Sequence, residues 1–178
     1  ADAVEQCSRI GYWQRQAAIL NNLGSLAEVR GDDETALARF ARSLELRREI
    51  GDQAGIARVL PNLGRLQQRQ GNFAEARVLF QEALERSQAV GETEAVIHSR
   101  NMLARSLVSL GRLQDARVQV AAALELALET DAVRDSLGVL HSTALLYEQQ
   151  GQTDAAMAIA SFVARAAAGN LEAVRGKL

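Results

Sequence analysis

Apolar residues along this chain recur at spacings of three and four, the period of a helix that buries one face. Ala36, Leu37, Phe40 and Leu44 form one such stripe, and Ala76, Phe80, Ala83 and Leu84 form another of the same design. A second kind of stripe precedes each: Leu20, Leu23, Leu26 and Ala27, then Leu60, Leu63 and Leu66, then Met102, Leu103 and Leu107, then Leu140, Leu145 and Leu146. Between the two kinds stands a glycine, Gly31, Gly71, Gly111 or Gly151, and five residues after each comes an alanine, Ala36, Ala76, Ala116 or Ala156. With 13 glycines in 178 residues, three further hits in a 40-residue register have odds of roughly 4 in 10,000, so the repeat is real. The pattern predicts a tandem array whose unit is two helices, A then B. The glycine closes helix A because it reaches the left-handed conformation without steric cost.

A second punctuation ends each B helix: Ile50-Gly51-Asp52 recurs as Val90-Gly91-Glu92, and the same register finds Ile10-Gly11. Residues 1–10 therefore read as the last turns of a truncated B helix, with Ala3 and Val4 at the places of Ser43 and Leu44. Four repeats come next at 12–51, 52–91, 92–131 and 132–168, and after Gly169-Asn170 the segment 169–178 reads as the start of a further or capping helix. A chain that starts inside a repeat, on Ala1 rather than methionine, is expected to be part of something longer. Asn72 with Glu75 has the spacing of a capping box at the start of the second B helix. Gly24, Gly64, Ala104 and Ala144 are small where helices A and B are expected to approach. Pro61 falls inside an A helix, removes the hydrogen bond to the Ala57 carbonyl and predicts a kink.

Asn22-Leu23-Gly24, Gly31, Ala36, Phe40 and Leu44, repeated as Asn62-Leu63-Gly64, Gly71, Ala76, Phe80 and Leu84, resemble the tetratricopeptide repeat (TPR). The run from Ala18 to Asp52 is similar to the longer variant found in kinesin light chains and in bacterial regulators such as signal-transducing ATPases. The resemblance spans about residues 12–168. It implies an all-α fold, a right-handed α-α superhelix (solenoid) of antiparallel helix pairs. The third repeat departs from the pattern with Leu103-Ala104 and Val120, and the fourth with Thr143-Ala144 and Ala160, the drift expected toward a capping repeat.

Composition narrows the functional classes. With 48% hydrophobic and 24% charged residues and one proline, the chain has enough apolar side chains to fold throughout. A net charge of −2 argues against nucleic acid and against acidic membrane surfaces as partners. Cys7 has no second cysteine to bridge, and it is expected to pack as a small residue in a reducing, cytoplasmic setting. His98 and His141 lack a third donor for a metal, and no phosphate loop, nucleophile elbow or histidine-glutamate zinc motif is present. No catalytic residue, metal or cofactor is therefore assigned. Nineteen arginines stand against the single Lys177, which points to a GC-rich bacterial genome.

In the family the A helices line a concave groove. The resemblance places Asn21 and Asn22 there from the first repeat, Arg58, Asn62, Arg65 and Arg69 from the second, His98, Asn101 and Arg105 from the third, and His141 from the fourth. Arginines at such spacing grip carboxylates bidentately, and the asparagines offer paired donors and acceptors to an extended backbone. The expected ligand is an acidic peptide or a helix with an acidic face. The competing reading pairs the arginines with groove carboxylates such as Glu28, where exposed pairs contribute about 0 to 1 kcal/mol. Tyr12 and Trp13 are expected to meet an upstream repeat, and the open ends of a solenoid permit self-association. The resulting expectation is a non-enzymatic scaffold or sensor module of a larger bacterial regulator. The alternatives are a free-standing adaptor or a regulatory domain attached to an enzyme such as a caspase-like peptidase.

Overall fold

The computed structural model describes residues 2–130 and 133–167, and every regular element among them is an α-helix. In chain order they are α1 (Asp2–Val29), α2 (Asp33–Glu49), α3 (Gln53–Arg69), α4 (Phe73–Val90), α5 (Thr93–Ser109), α6 (Leu113–Glu129), α7 (Val133–Gln149) and α8 (Thr153–Ala167). The odd-numbered helices are the A helices and the even-numbered the B helices. The chain falls into two compact units, residues 1–95 and 96–178. The side chain of Cys7 and the segment 169–178, expected to open a further helix, lie outside the described part of the chain.

Each A helix stops by the same device. Gly31, Gly71, Gly111 and Gly151 have φ between 72° and 81°. The amide one residue later then reaches back five residues, Asp32 to Ala27, Asn72 to Gln67, Arg112 to Leu107 and Gln152 to Tyr147, at 2.8 to 3.0 Å. This closes the last turn and satisfies a carbonyl that the helix leaves unpaired. Two of the helices start on an aspartate cap: Asp32 accepts from the Thr35 amide at 3.0 Å, and Asp52 accepts from the Gly55 amide at 2.9 Å.

Two local expectations fail for identifiable reasons. The break predicted at Ile10-Gly11 is absent, since α1 runs unbroken from Asp2 to Val29. Gly51 and Gly91 are followed by Asp52 and Glu92, whereas Gly11 is followed by Tyr12, which has no carboxylate to start a new helix. The capping box at Asn72 is also absent: its side chain makes no cap bond to α4, and its Nδ2 donates to Gln67 Oε1 at 2.8 Å. Pro61 is buried within α3, and the helix continues through it to Arg69.

Within the first unit, the ring of Phe40 lies against Gly24 and the ring of Phe80 against Gly64. A Cβ at either glycine would sit 2.7 Å from a ring carbon, closer than packed atoms tolerate. Both rings are fully buried. Between the repeats, α2 covers α3: Ala36, Phe40 and Leu44 share a cluster with Ile56, Val59, Leu60, Leu63 and Leu66. A buried polar chain runs from α1 through α2 to the start of α3. The Ser43 hydroxyl donates to the Ala17 carbonyl at 2.7 Å, Arg47 Nε lies 3.4 Å from that hydroxyl, and Arg47 Nη1 pairs with Asp52 at 2.6 Å. Gly55 makes room for the guanidinium, since a Cβ there would meet Arg47 Nη1 at 1.7 Å.

In the second unit the same place is filled differently. Ala104 of α5 and Val120 of α6 share a cluster with Ile97, Ala123, Ala127 and, from α7, Val139. A larger residue on helix A accompanies a smaller one on helix B.

That volume exchange is testable in the second repeat. Gly64→Ala is expected to destabilise by about 1 to 2 kcal/mol, the overpacking cost exceeding the gain in helix propensity. Phe80→Val alone should cost about 2 to 4 kcal/mol through the space it leaves. The double variant copies Ala104 with Val120 and should lose at least ~0.5 kcal/mol less than the sum of the singles. Urea unfolding of the four proteins measures this coupling, and strict additivity would reject volume compensation.

Candidate functional site

The A helices of the first unit bring Asn21, Asn62 and Arg65 together with Glu28 in one hydrogen-bonded array, and Arg69 is ion-paired beside it. Asn62 Nδ2 donates to Asn21 Oδ1 at 3.0 Å, and Asn62 Oδ1 accepts from Arg65 Nη2 at 3.2 Å. Arg65 grips Glu28 with two parallel bonds of 2.7 and 2.6 Å. Arg69 lies 3.6 Å from Glu28 and 2.8 Å from Asp33, the latter without hydrogen-bond geometry. Arg58 stands apart and pairs with Glu92 at 2.9 Å. Asn22 is exposed.

The electrostatic consequence differs from a bare cationic strip. Arg58, Arg65 and Arg69 are each matched by a carboxylate of the same chain, and Asn62 joins neighbouring A helices instead of facing outward with both its groups. Hydrogen bonds from Arg65 hold the Glu28 carboxyl below the ordinary glutamate range, against the opposing effect of its burial, and the charges of Arg65 and Arg69 add to this. Glu28 in turn raises the pKa of Arg65, again chiefly through the hydrogen bond. A fork-to-carboxylate pair of this kind fixes orientation as well as charge.

The second unit places the remaining expected residues around a recess of about 400 Å³. His98, Asn101, Met102 and Arg105 come from α5, Gly138 and His141 from α7, with Ile97, Leu137 and Val163 completing the wall. Asn101 is only 9% exposed, and its Oδ1 accepts from the Ser142 hydroxyl. Its role is the one Asn62 plays with Asn21, a bond between successive A helices 41 residues apart. Arg105, the counterpart of Arg65, is exposed and makes no ion pair among the described residues. The position that carries Glu28 in the first repeat carries Gln68, which has no carboxylate, in the second. His98 and His141 share the recess, and no set of three metal-donor side chains gathers among the described residues.

Sequence reasoning missed the buried Arg47–Asp52 pair. Its signal was present in Gly55, a glycine in the first turn of a helix that needs no glycine for its backbone.

Helices paired A to B, with a 40-residue register and a polar face on the A helices, define a helical-repeat protein. The chain belongs to the tetratricopeptide repeat family, whose model matches residues 15–89 and again 55–129. TPR arrays are protein–protein interaction modules and typically act as non-catalytic scaffolds. A search of curated proteins finds no match. Among solved structures, BtubC (BKLC) from P. vanneervenii aligns over 91% of this chain with a TM-score of 0.72 at 19% identity. The nearly identical TPR-like repeats of a Podosopora anserina protein assigned as a kinesin light chain align over 88% with a TM-score of 0.70 at 18% identity. At these identities the likeness is one of fold. The chain spans 65% of the length of BtubC and 77% of the Podosopora chain. No helix among the described residues is long and apolar enough to cross a membrane.

The Glu28 pair predicts a pH dependence with a definite sign. A carboxylate whose folded pKa is depressed stabilises fully above its unfolded value, about 4.3, and this is lost as pH falls through the folded value. Glu28→Gln should therefore destabilise by about 1 kcal/mol at neutral pH, the solvent exposure of Arg65 limiting the effect. The gap between variant and parent should close as pH falls from about 5 to 3. Urea midpoints across that range measure it, and a constant gap would show that the charge of Glu28 contributes nothing.

Proposed function

We propose that this chain is the scaffold or sensor arm of a larger bacterial regulatory protein, and that it binds an acidic peptide or helix on the A-helix face of its second unit. The observation that carries the reading is Arg105. It is an exposed cation beside a recess of about 400 Å³, while its counterpart Arg65 is already held by Glu28. A ligand carboxylate gains most from a guanidinium that has no partner to surrender, since displacing an internal pair returns a charge to water for each one taken. His98 and His141 line the same recess as Arg105, and Met102 and Leu137 give a ligand apolar surface there. The bacterial assignment rests on composition, nineteen arginines to one lysine.

Fluorescence polarisation against a panel of acidic, neutral and basic peptides tests this. Acidic members should bind preferentially, Arg105→Ala should weaken them by about tenfold, the loss of one charge-assisted contact, and Arg58→Ala should change affinity little. Equal binding of acidic and neutral peptides would reject the ligand class. A loss with Arg58→Ala but not Arg105→Ala would move the site to the first unit.

A further inference from the structure

Gly138 stands inside α7, where glycine is less favourable than alanine because it loses more backbone freedom on folding. Gly24, Gly55 and Gly64, also inside helices, have a packing reason, since a Cβ on any of them would come within 2.7 Å of a neighbouring side chain. Gly138 has no such reason. Among the described residues a Cβ there would meet one neighbour, Asn101 Nδ2, at 3.5 Å, which is ordinary contact. Nor does its backbone need glycine, for its φ is not positive. What the missing side chain provides is open space in front of one amide.

That amide is held but unused. Asn101 is 9% exposed, and its Oδ1 accepts from the Ser142 hydroxyl, which fixes the plane of the side chain. Its Nδ2 makes no hydrogen bond among the described residues, yet it is not sealed from solvent, and Asn101 lines the recess of about 400 Å³. A donor so placed gains a full bond from a ligand oxygen and surrenders no protein partner for it. Arg105 lies one turn along α5 on the same face, exposed and without an ion pair among the described residues. His141 lies one turn beyond Gly138 on α7 and is also exposed. Among the described residues no carboxylate lines the recess.

We propose that this recess is a phosphoryl subsite that takes a phosphoserine or phosphothreonine of a partner protein, with Asn101 Nδ2, Arg105 and His141 donating to its oxygens. The inference rests on the reading of the recess as the ligand-binding place and names the group that enters it. Donors from three side chains on two helices suit a tetrahedral group with three terminal oxygens better than a carboxylate, whose two oxygens lie in one plane. A phosphoryl group carries close to two negative charges at neutral pH, and a wall that holds a cation and no carboxylate meets it without repulsion. Met102 and Leu137 supply apolar surface for the residues on either side.

Each acidic and neutral peptide of the polarisation panel is made with serine, glutamate or phosphoserine at its centre and titrated against the full chain. The phosphoserine form should bind about tenfold more tightly than the glutamate form, the gain from one added charge-assisted bond. Asn101→Asp keeps an oxygen for Ser142 but turns the free donor into a carboxylate oxygen, and it should cancel that preference. Gly138→Ala fills the space before Asn101 Nδ2 and should reduce the preference while raising the thermal midpoint of unfolding, a combination that a purely structural glycine would not give. Equal binding of the glutamate and phosphoserine forms overturns the phosphoryl assignment and leaves the acidic-peptide reading standing, whereas no binding of any form overturns both. A preference that survives both substitutions puts the phosphoryl group elsewhere and also overturns the proposal. So does free phosphoserine that competes as well as the peptide, which would make a small phosphorylated molecule the ligand.

Discussion

The close approach of helix A to helix B at one small residue is the constraint on which the rest of this structure depends. Where Phe40 meets Gly24 and Phe80 meets Gly64, the ring occupies the volume that a side chain on the A helix would need. That contact fixes the depth to which the two helices interlock, and with it the direction in which the next pair departs. The second unit meets the same requirement with Ala104 and Val120, a larger residue on helix A facing a smaller one on helix B. Interiors packed at crystal density leave little slack for any other solution.

Polar groups are distributed around that apolar frame with a division of labour. Arg47, buried and paired with Asp52, cements the junction of the first two repeats. Taking such a pair out of water is costly, so its value lies in fixing register as much as in stability. Asn21 with Asn62, and Asn101 with Ser142, tie successive A helices along their polar face. Arg65 and Arg69 are neutralised locally by Glu28 and Asp33. Arg105, by contrast, is exposed and makes no ion pair among the described residues.

Most of the fold was legible before any coordinate. The glycines at 31, 71, 111 and 151, the stripes between them and the small residues at 24 and 64 are local patterns whose meaning does not depend on distant parts of the chain. The misreadings had a common origin. Gly11 and Asn72 carry the residue types of a helix boundary, but a boundary also needs its partners, and Gly11 lacks a following cap while Asn72 finds Gln67 first. The candidate site was legible only as a roll of residues. Its composition gave a basic, amide-rich face, yet whether a cation is already engaged is decided by a side chain from another helix, as Glu28 of α1 engages Arg65 of α3.

The sequence by itself thus determined the repeat, its helices and their A-to-B pairing, because helix period, glycine closure and side-chain volume act over a few residues or at a fixed spacing. Only the tertiary structure decided which charges are spent on holding the protein together and which stay exposed, and which apolar residues share a core. Those outcomes depend on burial and on side chains brought together from separate helices, and a sum of local preferences contains neither.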